Sequence, residues 1–174
     1  MGMVATEGGA DAGWVRRIVI GRNPRFTLLR VAIWVIGLFL ISRYVLLPVR
    51  VDGVSMLPTY RERGVNLVSR LAYLFHPPRR GDVVGIKLAG AHVMLMKRII
   101  ALPGETLEFR EGRAVINGEV LPEPYLKLPC NWETPPLKIE PGEYYVVGDN
   151  RSMDFHLHTQ GRAWRNQIIG KVLL

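Results

Sequence analysis

The stretch from residue 93 to residue 104 reads VMLMKRIIALPG, and it predicts a buried β-strand that ends in a turn. Valine and isoleucine favour strands, and the pair Pro103–Gly104 is typical of a turn. Because successive side chains of a strand point to opposite faces, Leu95, Lys97 and Ile99 should share one face. Lys97 is then a charged residue on an otherwise apolar face.

Short apolar runs on both sides of this stretch alternate with turn signals such as Asn117–Gly118, which suits a two-residue hairpin. The predicted strands are Val65–Val68, Val83–Leu88, Val93–Leu102, Thr106–Phe109, Ala114–Ile116, Tyr144–Val147 and Ile168–Leu174. Many short strands separated by turns indicate antiparallel pairing. We therefore expect a mostly β domain that begins after residue 47.

An apolar segment, Phe26–Leu47, precedes the β pattern, and its 22 residues exceed the roughly 20 that a helix needs to span a bilayer. Its central part, VAIWVIGLFLIS, carries no charge. A buried helix of a soluble protein is one alternative. A cleaved signal peptide is another, but the run ends in RYVLLP, without the small residues of a cleavage site. The segment predicts one uncleaved N-terminal transmembrane helix.

The arginines ahead of this helix predict its orientation. Five of them precede residue 31, and the positive-inside rule places such a terminus in the cytoplasm. The expected organisation is a cytoplasmic tail at 1–25, a transmembrane anchor at 26–47 and an extracytoplasmic domain at 48–174. The lipid bilayer of the cytoplasmic (inner) membrane is then a predicted partner, crossed once.

Composition excludes several classes of function. Half of the net charge of +8 lies in residues 1–47, and no run of Lys and Arg alternates with aromatic residues. A nucleic-acid partner is therefore not expected. A single cysteine, Cys130, excludes an intrachain disulfide and a cysteine-based zinc site in this 174-residue chain.

Two residues carry the side chains that acyl transfer requires. Ser55 follows Gly53, which permits a tight turn, and precedes Pro58, so its hydroxyl and amide could be presented together. Apolar surroundings lower the pKa of a lysine below its usual 10.4 or so, and a neutral Lys97 amine could accept the serine proton. One alternative is a serine that only forms a turn. For Lys97 the alternatives are a charge that protects an edge strand from pairing with other chains, and a side chain that extends past its neighbours to water.

Four ordered motifs resemble those of bacterial type I signal peptidases: GVSMLPT (53–59), RRGDVVGIK (79–87), MKRIIALPGET (96–106) and VVGDNRSM (146–153). The resemblance implies a membrane-anchored Ser/Lys serine endopeptidase with a signal-peptidase-like antiparallel β fold and no cofactor or metal. Ser55 would be the nucleophile, its amide would help bind the oxyanion, and Lys97 would be the general base. The residues given supporting roles are Met56, Arg98, Asp149, Arg151 and Ser152.

The resemblance also implies a substrate. Gly81–Asp82 and the strand Val83–Ile86 match a segment that lines the substrate groove in this family. An extended precursor peptide would bind there by strand addition, with small residues in shallow pockets, and the signal peptide would be removed after them. Many members have a serine two positions before the nucleophile that assists the oxyanion, whereas this chain has Gly53.

The fourth motif departs from the family pattern. Asp154, His156 and His158 stand where the family has serine, aspartate and arginine, so the serine that orients the lysine is absent from its position. Ser152 or Asp154 could replace it, although an ionised Asp154 beside Lys97 would raise the pKa of the lysine. The three substituted residues could also form a zinc site, a Ser55–His156 triad, or simply a polar loop.

Three other functions are compatible with the sequence. A dedicated processing peptidase for one exported substrate would account for the altered fourth motif. A non-catalytic, membrane-anchored β module that binds extended peptides would need the groove but not the amine. A soluble self-cleaving Ser/Lys regulator is opposed by the anchor.

Overall fold

The computed structural model describes residues 24–50, 53–87, 94–156, 158 and 161–173. An α-helix, α1, spans Pro24–Leu40 and continues into a π-helical turn at Ile41–Val45. The strands are β1 Leu46–Arg50, β2 Val65–Ser69, β3 Val83–Lys87, β4 Met94–Ala101, β5 Thr106–Arg110, β6 Arg113–Ile116, β7 Glu119–Val120, β8 Thr134–Lys138, β9 Glu143–Val147, β10 Gly161–Trp164 and β11 Ile168–Leu173. A 3₁₀ turn at Arg165–Gln167 precedes β11.

The chain divides into two units, residues 1–43 and residues 44–174. The helical stretch Arg25–Val45, most of which belongs to the first unit, has a mean hydropathy of 1.9 and is not buried. Its 21 residues are long and apolar enough to cross a membrane. The helical conformation ends two residues before the expected end of the anchor, because Leu46 and Leu47 already pair with β2 as the first residues of β1.

The second unit contains two antiparallel sheets. One sheet has seven strands in the order β1-β2-β11-β3-β4-β9-β10, and the other has four in the order β7-β6-β5-β8. The prediction of a mostly β, antiparallel fold that follows an N-terminal apolar helix in the chain is confirmed. Each of the seven strands predicted from sequence is present within a few residues of its expected limits, although residues 88–93 and 174 lie outside the described part.

The hairpin predicted at Asn117–Gly118 is also present. Ile116 pairs with Glu119 across it, and both turn residues have positive φ, 52° and 90°. That conformation is the one a two-residue turn between twisted strands requires, and it favours the Asn-Gly pair.

Three apolar clusters hold these sheets together. The largest contains Phe109, Trp132 and Val147 and joins the four-stranded sheet to the ends of β4 and β9. Ile99 belongs to a second cluster, against which Leu95 packs, and Met96 belongs to a third. The two faces of β4 therefore alternate as the sequence predicts, and the strand is buried on both sides.

The apolar run Leu71–Phe75 is divided between the core and the surface. Tyr73 is 8% exposed and belongs to the second cluster, whereas Phe75 is 95% exposed. The hydroxyl of Tyr73 donates to Asp82 Oδ2 over 3.0 Å, so this buried polar group has a hydrogen-bond partner.

Candidate active site

Ser55 lies in a short turn between β1 and β2 that is anchored by buried side chains. Met56 is 1% and Tyr60 is 6% exposed, and the amide of Tyr60 donates to the carbonyl of Met56 over 3.0 Å. Gly53 has a φ of +114°, a conformation that residues with a side chain rarely adopt. The turn therefore holds the half-buried Ser55 at the edge of the core.

Lys97 lies in the middle of the large sheet and reaches this turn. β4 is flanked by β3 and β9, and Lys97 pairs with Val84 of β3. The alternative of an edge-strand lysine is therefore wrong. Only 2% of Lys97 is exposed, and its Nζ lies 2.7 Å from Ser55 Oγ, within hydrogen-bond distance. The structure brings together the two residues that the sequence separates by 42 positions.

Burial changes the protonation of this amine. Removal of Lys97 from water disfavours the ammonium form and lowers its pKa to about 8. About a tenth of such amines are neutral at pH 7, against fewer than one in a thousand for a lysine in water. A neutral amine next to a serine hydroxyl can accept its proton.

Arg98, the next residue of β4, points to the other face and binds the buried carboxylate of Asp149. Its Nε and Nη2 donate to the two oxygens of Asp149 over 2.8 and 2.6 Å, and its guanidinium lies 3.9 Å from the centre of the Tyr125 ring. Thr59 Oγ1 donates to the same carboxylate over 2.6 Å. The turn that carries Ser55 is thus tied through Asp149 to the strand that carries Lys97.

A second connection runs from the residue after Asp149. The amide of Asn150 donates to the carbonyl of Ser55 over 2.9 Å, and its side-chain Nδ2 donates to the carbonyl of Val54 over 3.1 Å. Gly148 makes this approach possible, because a Cβ at that position would lie 2.1 Å from the oxygen of Ser55. Ser152 Oγ donates to Asn150 Oδ1 over 2.7 Å.

Arg151 donates from its Nε to the carbonyl of Gly148 over 3.0 Å and forms an ion pair with Glu123. Its side chain is completely buried and donates to both carboxylate oxygens of Glu123, over 2.6 and 3.2 Å. Tyr125 donates to the same carboxylate over 2.6 Å. This group fixes the segment around Glu123, and with it Tyr125, beside Arg98.

The contacts of the altered fourth motif lie within its own loop and with the core. Ser152 binds Asn150, and Asp154 Oδ1 accepts the amide of His156 over 2.8 Å. His158 is 3% exposed, and its ring packs edge-on against Trp132, with the ring centres 5.0 Å apart. In the described part of the chain, no three His, Cys, Asp or Glu side chains converge as metal ligands would. The interpretation that best fits these contacts is a polar loop packed on the core.

A cavity of about 30 Å³ adjoins Ser55 and Lys97, and Met56, Met94 and Met96 contribute to its walls. Val51 and Asp52, which precede this turn, lie outside the described residues.

Sequence reasoning did not single out Thr59, Asn150, Glu123 or Tyr125. Thr59 and Asn150 stood inside the quoted motifs, so the motifs were the available signal. Nothing in a single sequence indicates that Asn150 contacts the backbone on both sides of Ser55, because that contact joins positions almost a hundred residues apart.

Comparison with known proteins identifies the family. The family model described as signal peptidase, peptidase S26, matches residues 25–174. A signal peptidase I from Leptolyngbya laminosa is 35% identical over 69% of this chain and 63% of its own length. Signal peptidase I V from Bacillus subtilis is 31% identical over 86% of this chain and 97% of its own length.

A crystal structure of a signal peptidase I from Enterococcus faecalis shares 28% sequence identity, with a TM-score of 0.45 over 55% of this chain and 97% of that one. The assignment rests on the sequence matches alone, and these confirm the resemblance given by the four motifs. The chain belongs to the signal peptidase I family of serine endopeptidases.

Proposed function

We propose that this chain is a membrane-anchored endopeptidase that removes signal peptides from exported precursors, with Ser55 as nucleophile and Lys97 as general base. The observation that carries the proposal is the 2.7 Å separation of Lys97 Nζ and Ser55 Oγ, with the lysine buried. The family membership supplies the substrate class.

The chemistry follows from this pair. The neutral Lys97 amine takes the proton of Ser55 as Oγ attacks the scissile carbonyl, and the resulting ammonium protonates the departing amine. An ester then joins Ser55 to the signal-peptide part of the substrate. A water molecule that loses a proton to Lys97 hydrolyses this ester and regenerates the enzyme.

The size of the cavity supports cleavage after small residues. Met56, Met94 and Met96 line it beside the reacting atoms, and a large side chain at the cleaved position would have to displace them. The substrate would be an extended peptide.

The apolar helix supports the location. Arg25–Val45 would span the cytoplasmic membrane once, the arginine-rich terminus would stay in the cytoplasm, and residues after 47 would lie on the extracytoplasmic side. Precursors held in the same membrane would then meet the enzyme where their signal peptides emerge.

Cleavage of a membrane-anchored precursor with an Ala-x-Ala site tests the proposal. We expect wild type and His156→Ala to cleave it and Ser55→Ala to be inactive, and we expect an acylating serine probe to label only the first two. Labelling of Ser55→Ala would place the nucleophile elsewhere. Absence of both cleavage and labelling in wild type would refute the peptidase assignment in favour of a peptide-binding module.

The pH dependence of cleavage gives an independent check on Lys97. Because the amine must be neutral to act as a base, kcat/KM should rise about tenfold per pH unit below pH 8 and level off above it. An initial-rate series between pH 6 and pH 10 measures this. A profile centred near pH 6.5 would point to a histidine base instead.

A further inference from the structure

We propose that Asn150 and Ser152 are positioning residues that set the direction of the Ser55 amide N–H, the backbone donor for the oxyanion formed during peptide cleavage. The inference rests on the proposed function. It assigns to Ser152 a task different from the orientation of Lys97.

The peptide group between Val54 and Ser55 carries the N–H that would bind the oxyanion. The carbonyl of Val54 and the N–H of Ser55 belong to the same planar unit, and in a trans peptide they point in opposite directions. The cis peptide bond in the described residues is the one between Leu57 and Pro58. Whatever fixes the carbonyl of Val54 therefore fixes the direction of the Ser55 N–H.

Two donors fix that carbonyl. Asn150 Nδ2 donates to it over 3.1 Å, and the amide of Leu57 donates over 3.2 Å. On the other side of the nucleophile, the backbone amide of Asn150 donates to the carbonyl of Ser55 over 2.9 Å. The same asparagine, which is 7% exposed, thus holds the peptide groups before and after Ser55.

The Val54 carbonyl determines which way the Asn150 side-chain amide faces, and Ser152 helps to hold it there. A carbonyl oxygen only accepts hydrogen bonds, so the Nδ2 side of Asn150 must face Val54 and the Oδ1 side must face away. Oδ1 lies 2.7 Å from Ser152 Oγ, and the hydroxyl must donate there. This bond opposes rotation of the amide.

The direction of the Ser55 N–H matters more in this chain because position 53 is a glycine. Gly53 has no hydroxyl that could assist the oxyanion, so the N–H of Ser55 carries more of that stabilisation. Hydrogen bonds to the Val54 carbonyl also polarise the peptide group and strengthen its N–H as a donor. Loss of one oxyanion donor costs about 10² to 10³ in kcat in other enzymes.

Kinetics of the full-length chain in detergent micelles test the proposal, with a membrane-anchored Ala-x-Ala precursor as substrate. We expect Asn150→Ala to lower kcat about 100-fold and Ser152→Ala about tenfold, with KM changed less than twofold. Ser152→Thr keeps the hydroxyl and should restore most of the activity. The midpoint of the pH profile should stay where it is in wild type, because Lys97 is untouched.

Inhibition by a peptide aldehyde gives a second readout. The aldehyde forms a hemiacetal with Ser55, whose oxygen occupies the oxyanion position, so its affinity should fall in proportion to kcat/KM. A purely structural defect would instead reduce the fraction of active enzyme and leave the affinity unchanged. Asn131→Ala, which removes an exposed asparagine, is the matched control.

The outcomes separate this inference from the proposed function. Ser152 is exposed, so Ser152→Ala decides the question if the buried Asn150→Ala fails to fold. If Ser152→Ala has the kcat and the aldehyde affinity of wild type, the inference is overturned. An inactive Ser55→Ala would in that case still support the proposed peptidase function. A rise in KM at constant kcat would also overturn the inference. If wild type neither cleaves the precursor nor is labelled by the serine probe, both proposals are refuted.

Discussion

Replacement of Lys97 by methionine is expected to abolish cleavage and to stabilise the folded protein. The first effect follows from the contact with Ser55, since a thioether cannot accept the hydroxyl proton, and we expect kcat/KM to fall by at least about 10³. The second follows from burial. A cation held among Leu95, Ile99 and their neighbours is costly, and methionine fills a similar volume without charge.

The size of the stabilisation depends on pH. Burial lowers the pKa of Lys97 from 10.5 to about 8, which corresponds to about 3 kcal/mol against the charged form. Loss of the hydrogen bond to Ser55 removes about 1 kcal/mol of this gain. We therefore expect the free energy of unfolding of Lys97→Met to exceed that of wild type by about 2 kcal/mol at pH 6.

The stability of the wild type depends on pH through Lys97. Between pH 8 and pH 10.5 the unfolded state binds more protons than the folded state, because Lys97 is already neutral in the fold. Wild-type stability therefore rises with pH in this window, and the advantage of Lys97→Met is complete below pH 8 and disappears by about pH 10.5.

Denaturant unfolding at pH 6, 8 and 10, followed beside the cleavage assay, measures both effects. Lys138→Met is the matched control, since Lys138 is exposed on β8 and its removal should change neither quantity. Retained cleavage by Lys97→Met would remove the lysine from the mechanism. A destabilised Lys97→Met at pH 6 would contradict the account of its burial.

The sequence predicted the parts of this molecule that depend on local pattern. Alternation placed Lys97 on the face of Leu95 and Ile99, and the Asn117–Gly118 hairpin has the expected backbone. Both follow from the two-residue period of a strand and from the positive φ that a tight turn demands.

Strands and contacts that depend on distant partners were not predicted. β8 reads TPPLK and β1 reads LLPVR, and proline argues against a strand unless a neighbouring strand leaves its nitrogen unpaired. The tasks of Ser152 and Asn150 depend on which backbone groups of the distant Ser55 turn come within reach. That information arises only when the chain is folded.

Removal of the Asp149 carboxylate is the second change with a large expected effect. The side chain of Asp149 is completely buried and that of Arg98 is 11% exposed, so neither charged group can be hydrated by the solvent. Loss of one member leaves an uncompensated guanidinium in the core. We expect Asp149→Ala to lower the free energy of unfolding by about 3 to 5 kcal/mol.

A double-variant cycle measures the coupling. Arg98→Leu combined with Asp149→Ala should destabilise by clearly less than the sum of the two single variants, because the second change removes the charge that the first leaves unpaired. Glu108→Ala is the matched control. It breaks an ion pair with Arg110, whose side chain is 58% exposed, and should cost less than about 1 kcal/mol.

Asp149→Ala should also lower the rate of cleavage, for a reason separate from its effect on stability. Thr59 donates to Asp149, so the carboxylate holds the Ser55 turn against the strand that carries Lys97. In conditions where Asp149→Ala remains folded, we expect kcat to fall about tenfold or more, because small displacements of reacting groups are costly. Thr59→Val, which breaks only the link to the turn, should lose part of that activity with a stability change of about 1 kcal/mol. Full activity in both variants would show that the Ser55–Lys97 geometry is held by other contacts, namely the hydrogen bonds of Asn150 to the turn and the packing of the buried Met56 and Tyr60.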